Sequence, residues 1–385
     1  MAASAGNGEA DFGRNQTLPR DALLRESAGE SASREPTAAA SPMRRWILPA
    51  LNLLAAMHIV WFYVYRVPSY MNLDRYEAGI ERLPFQQRIL MQYPLRWAHR
   101  SAPCIALAEW ITRMHVWLSR PIVAEDVVQA WINLAAVLAA GLVARELYRV
   151  HSRSRLLMPF VFPLFLVMVA GSYCLGNINF FRYFYDLPSL GLLSVGYFLI
   201  VRRAHPALFA LLFVVATVNR ETSLFLLYFF LASACIDGER IDWRRALRWR
   251  SGGTVVLLSL FWLGWHAWIL RHFSGLHFET GPGPMVNFAC LLLPLTWPQI
   301  AGIGGYSLAI LLVYWRKLPG AELRLWLGCF PIWFAFMMYF GDLIELRIFG
   351  ELLPIFAAAT VLLADEYLDS VYRRLPSRRV PTVAG

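Results

Sequence analysis

Long apolar segments separated by short polar connections occupy the chain from residue 46 to residue 364. A membrane-spanning helix needs roughly 17–25 mostly apolar residues, and about ten segments reach or approach that length. The pattern therefore predicts an all-α fold, a polytopic transmembrane helical bundle of about ten spans. The predicted spans are residues 46–65, 127–148, 156–175, 185–201, 206–219, 222–236, 253–271, 298–315, 322–340 and 349–364.

The two ends of the chain are polar. Residues 1–42 are rich in Ala, Ser, Gly, Glu and Arg and have no apolar run, which is typical of a disordered tail. We assign residues 43–365 to the transmembrane domain. Residues 366–385 are polar and basic, and we expect them to form a cytoplasmic tail.

The connection between the first two spans, residues 66–125, is long and contains two amphipathic pieces, 85–98 and 105–118. Their apolar side chains fall mainly along one helical face. Such helices lie in the membrane interface rather than across the membrane. The apolar piece 285–296 is too short to cross the bilayer and predicts a re-entrant segment.

Basic residues alternate between connections, which predicts an orientation. Cytoplasmic loops carry an excess of Lys and Arg, so the basic loops and both termini are predicted to lie in the cytoplasm. Outside the long first loop, the opposite side carries only Arg182, Arg220, Arg271 and Arg347. The basic connections carry Arg145, Arg149, Arg153, Arg155, Arg202, Arg203, Arg240, Arg244, Arg245, Arg248, Arg250, Arg316, Lys317, Arg324, Arg373, Arg374, Arg378 and Arg379.

Composition supports a membrane protein and excludes a nucleic-acid-binding domain. The chain is 58% hydrophobic and 16% charged, whereas soluble domains are about 25% charged. Its net charge of +10 is accounted for by the basic loops, and no soluble domain is present that could offer a basic face to nucleic acid. The five cysteines show neither a disulfide framework nor zinc-ligand spacing.

Ionisable residues also gather on the predicted outer side, where charge at membrane depth is costly and marks functional sites. Carboxylates there act as general bases or bind sugar hydroxyls, and arginines hold phosphate or pyrophosphate through paired hydrogen bonds. The mixture predicts a site for an anionic lipid-linked substrate. The candidate residues are Asp74, Glu77, Arg88, Asp186, Arg220, Glu221, Glu345 and Arg347.

Five of the eight candidates also have a purely structural interpretation. Asp186 precedes Leu187-Pro188 and is placed to cap the helix that starts there. Arg220 and Glu221 are placed to extend towards the lipid headgroups from a turn between two short helices. Glu345 and Arg347 are two residues apart, so on a helix they would face different sides and need different partners.

Three histidines near the end of the 253–271 span offer a metal site as a rival interpretation. His266, His272 and His277 do not follow a familiar ligand spacing. We therefore expect no metal ion and no cofactor.

Three short segments resemble parts of bacterial membrane proteins grouped near the GT-C superfamily of glycosyltransferases. The segments are Pro84–Leu90, Asn219–Ser223 and Glu345–Pro354. A long first outer loop with an acidic residue soon after the first helix, followed by interfacial helices, is also similar to that superfamily. The resemblance spans residues 44–364, although the first loop contains no Asp-x-Asp.

The resemblance implies a GT-C-like fold and an inverting sugar transfer at the outer, periplasmic face of the bacterial inner (plasma) membrane. A polyprenyl-phosphate-linked sugar would be the donor, and a glycan or lipid would be the acceptor. Asp74, with Glu77 as the second choice, would deprotonate the acceptor hydroxyl. Arg88, Arg220 and Arg347 would contact the phosphate or the sugar, and arginines would replace a metal ion in neutralising the leaving phosphate.

A transporter or flippase of a lipid-linked or anionic substrate is the alternative function, and a non-catalytic membrane subunit is a third. Transport predicts internal repeats and broken helices near the membrane midplane. The sequence shows no repeat, and its ionisable residues favour one side of the membrane. That distribution favours the enzyme.

Overall fold

The computed structural model describes residues 42–114, 120–175, 181–238, 240–279 and 283–374. Most of the predicted N-terminal tail and the last residues of the predicted C-terminal tail therefore lie outside the described residues. A boundary between two units of the chain falls between Leu48 and Pro49. The second unit contains the bundle described below.

The first half of the described chain is helical. Residues 85–91 form two short 3-10 turns, and a π-helical turn covers Ala170–Cys174. In chain order the α-helices are α1 (Pro42–Tyr65), α2 (Leu73–Ala78), α3 (Gln92–Arg100), α4 (Ala102–Met114), α5 (Ala124–His151), α6 (Met158–Val169), α7 (Asp186–Val201) and α8 (Pro206–Asn219).

The second half begins with a 3-10 turn at Glu221–Ser223 and contains a two-stranded antiparallel hairpin, β1 (Ile236–Asp237) and β2 (Arg240–Ile241). Further 3-10 or π-helical turns cover Trp243–Arg245, Trp249–Gly253, Pro294–Thr296, Trp315–Lys317 and Leu346–Leu352. The α-helices are α9 (Leu224–Ala234), α10 (Thr254–His272), α11 (Gly283–Leu292), α12 (Trp297–Ala301), α13 (Ser307–Tyr314), α14 (Ala321–Leu327), α15 (Cys329–Phe340) and α16 (Leu353–Arg374).

The protein is a helical bundle, and five stretches of the described chain are long and apolar enough to cross a membrane. They are Trp46–Tyr65, Ala124–His151, Ser251–His272, Ala321–Phe340 and Leu346–Tyr372. The shorter apolar helices are Met158–Cys174, Asp186–Val201, Pro206–Asn219, Glu221–Ala234 and Gly283–Leu292.

Helices α5 and α16 form the centre of the bundle. Helix α5 packs against α3, α4, α6, α7 and α16. The most apolar part of the Leu346–Tyr372 stretch is 83% buried, whereas that of Ser251–His272 is only 11% buried. An apolar helix that is hardly covered by protein is suited to face lipid, so α10 lies at the periphery.

The loops segregate to two opposite ends of the bundle. At one end, which we call the first-loop end, the described residues of the first loop, 66–114 and 120–123, meet the described parts of the connections that precede α7, α9, α11 and α16. The contacts that join these connections are Ser69 with Arg182, Leu83 with Phe278, Arg88 with Glu221, and Phe181 with Arg347. The other end, which we call the arginine-rich end, is joined by contacts of Glu146 with Arg202, His151 with Glu322, and Ser152 with Asp365.

Three predicted helical segments differ from the structure. The predicted span 298–315 is broken between α12 and α13, because Gly304, Gly305 and Tyr306 all have positive φ angles of 62–65° that an α-helix does not allow. The predicted interfacial piece 85–98 consists of two 3-10 turns followed by α3. The piece 105–118 begins earlier, at Ala102, and is described only to Met114.

Candidate functional site

Asp186 lies at the centre of a group of buried charges at the first-loop end. Its carboxylate accepts a hydrogen bond from the Tyr63 hydroxyl at 3.3 Å. The Nη1 atom of Arg220 lies 3.5 Å from Asp186 Oδ1, and the Nη1 atom of Arg347 lies 3.7 Å from Asp186 Oδ2. Asp186 is the first residue of α7 and Tyr185 occupies the N-cap position, so the interpretation that Asp186 caps this helix is wrong.

A second carboxylate of this group, Glu351, is fully buried. Its Oε1 atom accepts hydrogen bonds from the hydroxyls of Ser189 and Thr222, the latter at 2.9 Å, and from Arg220 Nη1 at 3.2 Å. Our sequence reasoning did not include Glu351 among the candidates. Its position inside the apolar run 348–353 was the signal, because an acidic side chain within a membrane helix is costly unless it has partners.

Glu345 and Arg347 are partners of each other. Arg347 Nη2 lies 2.6 Å from Glu345 Oε2, so the expectation of separate partners is wrong. Glu345 has an extended backbone and Arg347 lies in the following 3-10 turn, which lets side chains two residues apart converge. Burial raises the pKa of the Glu345 carboxyl, and the guanidinium of Arg347 opposes this shift.

Arg88 from the first loop binds Glu221 through two nitrogen atoms. Arg88 Nε donates to Glu221 Oε2 at 3.0 Å, and Nη2 donates to Oε1. The same guanidinium lies 4.3 Å from the centre of the Tyr185 ring, next to Asp186 in sequence. Arg220 is buried against Asp186 and Glu351, so it does not extend to the headgroups as the structural interpretation required, whereas Glu221 is partly exposed and pairs with Arg88.

The two first-loop carboxylates lie apart from this group of charges. Asp74 is exposed in the first turn of α2. Glu77 faces His99 and Glu125 instead, and its Oε1 atom is buried without a hydrogen-bond partner in the described residues. Burial, followed by the negative charge of Glu125, raises the pKa of the Glu77 carboxyl. Tyr76 donates a hydrogen bond to the carbonyl of Arg88, which ties α2 to the Arg88 segment.

Glu77, His99 and Glu125 are the described residues best placed to hold a metal ion. One ligand atom from each lies within 4.8 Å of the others. His99 Nδ1 is already 2.6 Å from Glu125 Oε1, and this hydrogen bond raises the pKa of His99. Two of the three histidines considered from the sequence as an alternative metal site pack against aromatic rings instead. His266 stacks on Trp262, and His272 stacks on Trp268.

A second group of charges anchors the first loop to the bundle. Asp126 in the first turn of α5 accepts hydrogen bonds from both nitrogens of Arg120, at 2.6 and 2.9 Å. Arg182 reaches the same carboxylate at 3.1 Å and donates to Gln129 at 2.9 Å. Sequence reasoning missed these contacts, because Arg120 and Arg182 belong to different loops and no local pattern relates them.

An apolar groove of about 450 Å³ opens beside the charges. It begins at Leu90, two residues after Arg88, on one wall and at Pro188, two residues after Asp186, on the other. Its floor lies where α5 and α7 touch, since a Cβ atom on Gly191 would come within 2.7 Å of the Ala136 Cβ. The lining residues are Leu90, Met91, Tyr93, Pro94, Ile132, Ala136, Ala139, Pro188, Gly191, Leu192 and Val195.

Comparison with protein-family models, with curated proteins and with solved structures gave no match. The geometry of the first-loop end is therefore the basis on which a function is proposed.

Proposed function

We propose that the chain is a GT-C-type membrane glycosyltransferase. It transfers a sugar from a polyprenyl-phosphate-linked donor to a glycan or lipid acceptor at the outer face of the bacterial plasma membrane. The observation that carries the proposal is the convergence of arginines and carboxylates from four loops at the first-loop end. Arginines bind phosphate through paired, charge-assisted hydrogen bonds, and carboxylates bind hydroxyl groups, so both halves of a lipid-linked sugar find suitable partners there.

The phosphate would lie among Arg88, Arg220 and Arg347. Arg220 keeps a spare donor, because its Nε atom is buried without a partner among the described residues. Arg88 lies at the edge of the group and pairs with Glu221, which is partly exposed. A phosphate group would compete with that carboxylate for Arg88. Asp186, Glu221 and Glu345 are then the carboxylates available to the sugar hydroxyls.

The apolar groove supports the lipid part of the proposal. It runs along α7 from Pro188 to Val195, which is about 10 Å of helix at 1.5 Å per residue. A lipid chain bound there would lie near the arginine that holds its phosphate, because the groove residue Leu90 follows Arg88 by two positions. An isoprenoid chain is apolar along its length and matches the lining.

The first-loop carboxylates remain the candidate general bases, and the geometry favours Glu77 over Asp74. A general base works best when its pKa lies close to the working pH. The pKa of Glu77 is raised by burial and by Glu125, whereas Asp74 is exposed to water. Helix α2 also contacts the Arg88 segment through Tyr76.

The proposal includes ten crossings with both termini in the cytoplasm. The five longer apolar stretches and four of the shorter helices make nine of them. The remaining crossing would be the broken pair α12 and α13, preceded by α11 as a re-entrant helix. This arrangement puts the first-loop end outside and the arginine-rich end in the cytoplasm, as the positive-inside rule requires.

Transfer in proteoliposomes tests the proposal. The purified protein would be given a polyprenyl-phosphate donor with a radiolabelled sugar, together with membrane glycolipid acceptors. We expect Glu77→Gln to lower the transfer rate by about 10²–10⁴-fold, the usual contribution of a general base. Glu109→Gln is the matched control, since Glu109 is an exposed carboxylate of the same loop and its loss should leave the rate unchanged.

Two results would count against this assignment. Full transfer by both folded Glu77→Gln and folded Asp74→Asn proteins would remove the first-loop base. Absence of transfer by the wild-type protein with every polyprenyl-phosphate sugar tried would remove the glycosyltransferase itself.

Transport of an anionic lipid is the second candidate, and the broken helices favour it. The interruption between α12 and α13, and the 3-10 turn that precedes α16, are features that transporters place at their binding sites. The substitution Asp342→Cys, on a Cys104→Ser background, would report from which side of the membrane this position can be reached. Labelling of that cysteine by a membrane-impermeant thiol reagent from both sides supports transport, and labelling from one side supports the enzyme.

A further inference from the structure

Five side chains at the first-loop end form one contact group with unequal numbers of charges. Arg220 contacts Asp186 and Glu351, and Arg347 contacts Asp186 and Glu345, all at nitrogen–oxygen distances of 2.6–3.7 Å. Glu345 is the most exposed of the five, with 17% of its side chain accessible. Three carboxylates therefore surround two guanidinium groups, which gives the group a formal charge of −1 when every carboxyl is ionised.

The neighbouring charges do not remove this imbalance. Arg88 and Glu221 neutralise each other. The group formed by Arg120, Asp126 and Arg182 has a net charge of +1. We assign the excess positive charge to Arg120, because its side chain is 37% exposed to solvent. A charge in contact with water is screened. No ion pair between described residues joins that group to the five.

A buried net charge is costly because water no longer solvates it, and ionisable groups in such places neutralise instead. A proton is the smallest cation that could restore neutrality. We propose that the group of five binds one proton and that Glu351 carries it. The presence of this proton does not depend on the transfer chemistry proposed above.

The contacts of the three carboxylates single out Glu351. Asp186 contacts both guanidinium groups, and Glu345 forms the shortest pair, 2.6 Å with Arg347. Glu351 contacts one guanidinium, which it shares with Asp186. All its donors reach Oε1, while Oε2 is buried and has no hydrogen-bond partner among the described residues. A carboxyl proton on Oε2 leaves those contacts to Oε1 intact.

Several elements contribute charged or titratable side chains around Glu351. Among the described residues, none of these side chains is a lysine or a histidine. Tyr173 packs its hydroxyl, which is also buried and without a partner, against Gly350. Tyr197 donates a hydrogen bond to the Glu351 carbonyl at 3.1 Å. The titratable and charged groups are Asp186 and Tyr197 from α7, Arg220 from the turn after α8, Tyr173 from the π-helical turn, and Glu345 and Arg347 from the adjoining turn.

The proton gives Glu351 a donor that an ionised carboxylate lacks. With Oε2 protonated, Glu351 and the Nε atom of Arg220 would both have spare N–H or O–H donors beside the phosphate position. This consequence rests on the proposed function, whereas the presence of the proton does not.

Infrared spectroscopy of the full-length protein in nanodiscs tests the proton directly. At neutral pH we expect a carbonyl band of a protonated carboxyl that shifts when the protein is labelled with ¹³C-glutamate but not with ¹³C-aspartate. This measurement needs only the wild-type protein. The band should disappear in Glu351→Gln and persist in the matched control Glu221→Gln, whose carboxylate is paired with Arg88.

The thermal midpoint gives an independent result, because glutamine has the shape of a neutral glutamic acid. We expect the midpoint of Glu351→Gln to lie within about 2 °C of the wild type, the scale of a small change in stability. Absence of a glutamate carboxyl band in the wild type, or its persistence in Glu351→Gln, would overturn the proposal. A thermal midpoint that rises with Na⁺ in the absence of that band would assign the missing charge to a metal cation instead.

Neither measurement depends on sugar transfer. A wild-type protein with the glutamate band but no transferase activity would refute the proposed function and leave the proton site standing. A wild-type protein with transferase activity but without the glutamate band would refute the proton site and leave the proposed function standing.

Discussion

The two ends of the bundle use arginine differently. At the first-loop end the side chains of Arg220 and Arg347 are each 7% exposed and contact carboxylates from other loops. At the arginine-rich end Arg149 and Arg202 are 40% and 45% exposed and share Glu146. Exposed pairs contribute little to stability, whereas buried pairs carry a large desolvation cost. Arginines at the first end are therefore suited to a site, and those at the second end to orienting the chain in the membrane.

The acidic residues show the same contrast. Asp365 at the arginine-rich end is buried, but it accepts its hydrogen bonds from the neutral hydroxyls of Tyr148, Ser152 and Ser154. Those contacts fasten the turn after α5 to α16. A buried carboxylate can therefore hold a loop in place through neutral hydroxyl groups, without an arginine. The paired arginines around Asp186 are not needed for such a structural role, which favours a functional role for them.

Removal of the charge at Asp186 should have the largest effect. Asp186→Asn leaves Arg220 and Arg347 with one carboxylate each, so both guanidinium groups lose a buried ion-pair partner. Breaking a buried pair costs about 3–5 kcal/mol, which denaturant unfolding in detergent would measure.

Asp365→Asn is the control at the opposite end and should cost about 1–3 kcal/mol, because only hydrogen bonds to neutral groups are affected. Equal losses in the two proteins would remove the contrast between the ends.

Replacement of Arg347 by lysine should have an intermediate effect. Arg347 contacts Asp186, Glu345 and the carbonyl of Phe181 at the same time, and a single ammonium group cannot reproduce that forked geometry. We expect Arg347→Lys to destabilise the protein by about 1–3 kcal/mol, the cost of leaving a buried partner unsatisfied. Arg202→Lys should lie within about 0.5 kcal/mol of the wild type. A similar loss in both would show that fork geometry is unimportant at the first-loop end.

The smallest change in stability should come from a change of pH, which acts on His99 in the exposed part of the first-loop end. The hydrogen bond to Glu125 raises the pKa of His99 above its ordinary value. A raised histidine pKa stabilises the folded state below the ordinary pKa, and this stabilisation is lost as the pH rises through the folded-state value. The difference in thermal midpoint between wild type and His99→Gln should therefore be positive below the ordinary histidine pKa of about 6.5 and should decrease as the pH rises above that value. A difference that grows with pH would show the opposite linkage.

The sequence predicted α1 and α8 closely, because apolar runs between polar turns fix such helices by composition alone. It could not predict the break at Gly304–Tyr306. The predicted span 298–315 has the apolar composition of one helix, and only the backbone angles reveal the interruption.

The sequence predicted which charged residues belong to the site, but it did not predict which of them contact each other. The accumulation of charge on one predicted side of the membrane identified Asp186, Arg220, Glu345 and Arg347 as candidates, and the structure brings these four into contact. Glu351 was missed as a site residue because it was treated as part of a span. Asp74 remains a prediction drawn from the resemblance, and its exposed side chain forms no ion pair or hydrogen bond with the paired arginines in the part of the chain that the structure describes.

The central claim is that the first-loop end binds a phosphate-linked lipid, and retention of polyprenyl phosphate by the purified protein tests it most directly. Native mass spectrometry would compare the wild type with Arg88→Gln and with Arg149→Gln from the opposite end. We predict that wild type and Arg149→Gln retain the lipid equally, while Arg88→Gln binds it at least about tenfold more weakly, since a charge-assisted hydrogen bond is worth about 1.5–3 kcal/mol. Equal retention by all three proteins would contradict the claim.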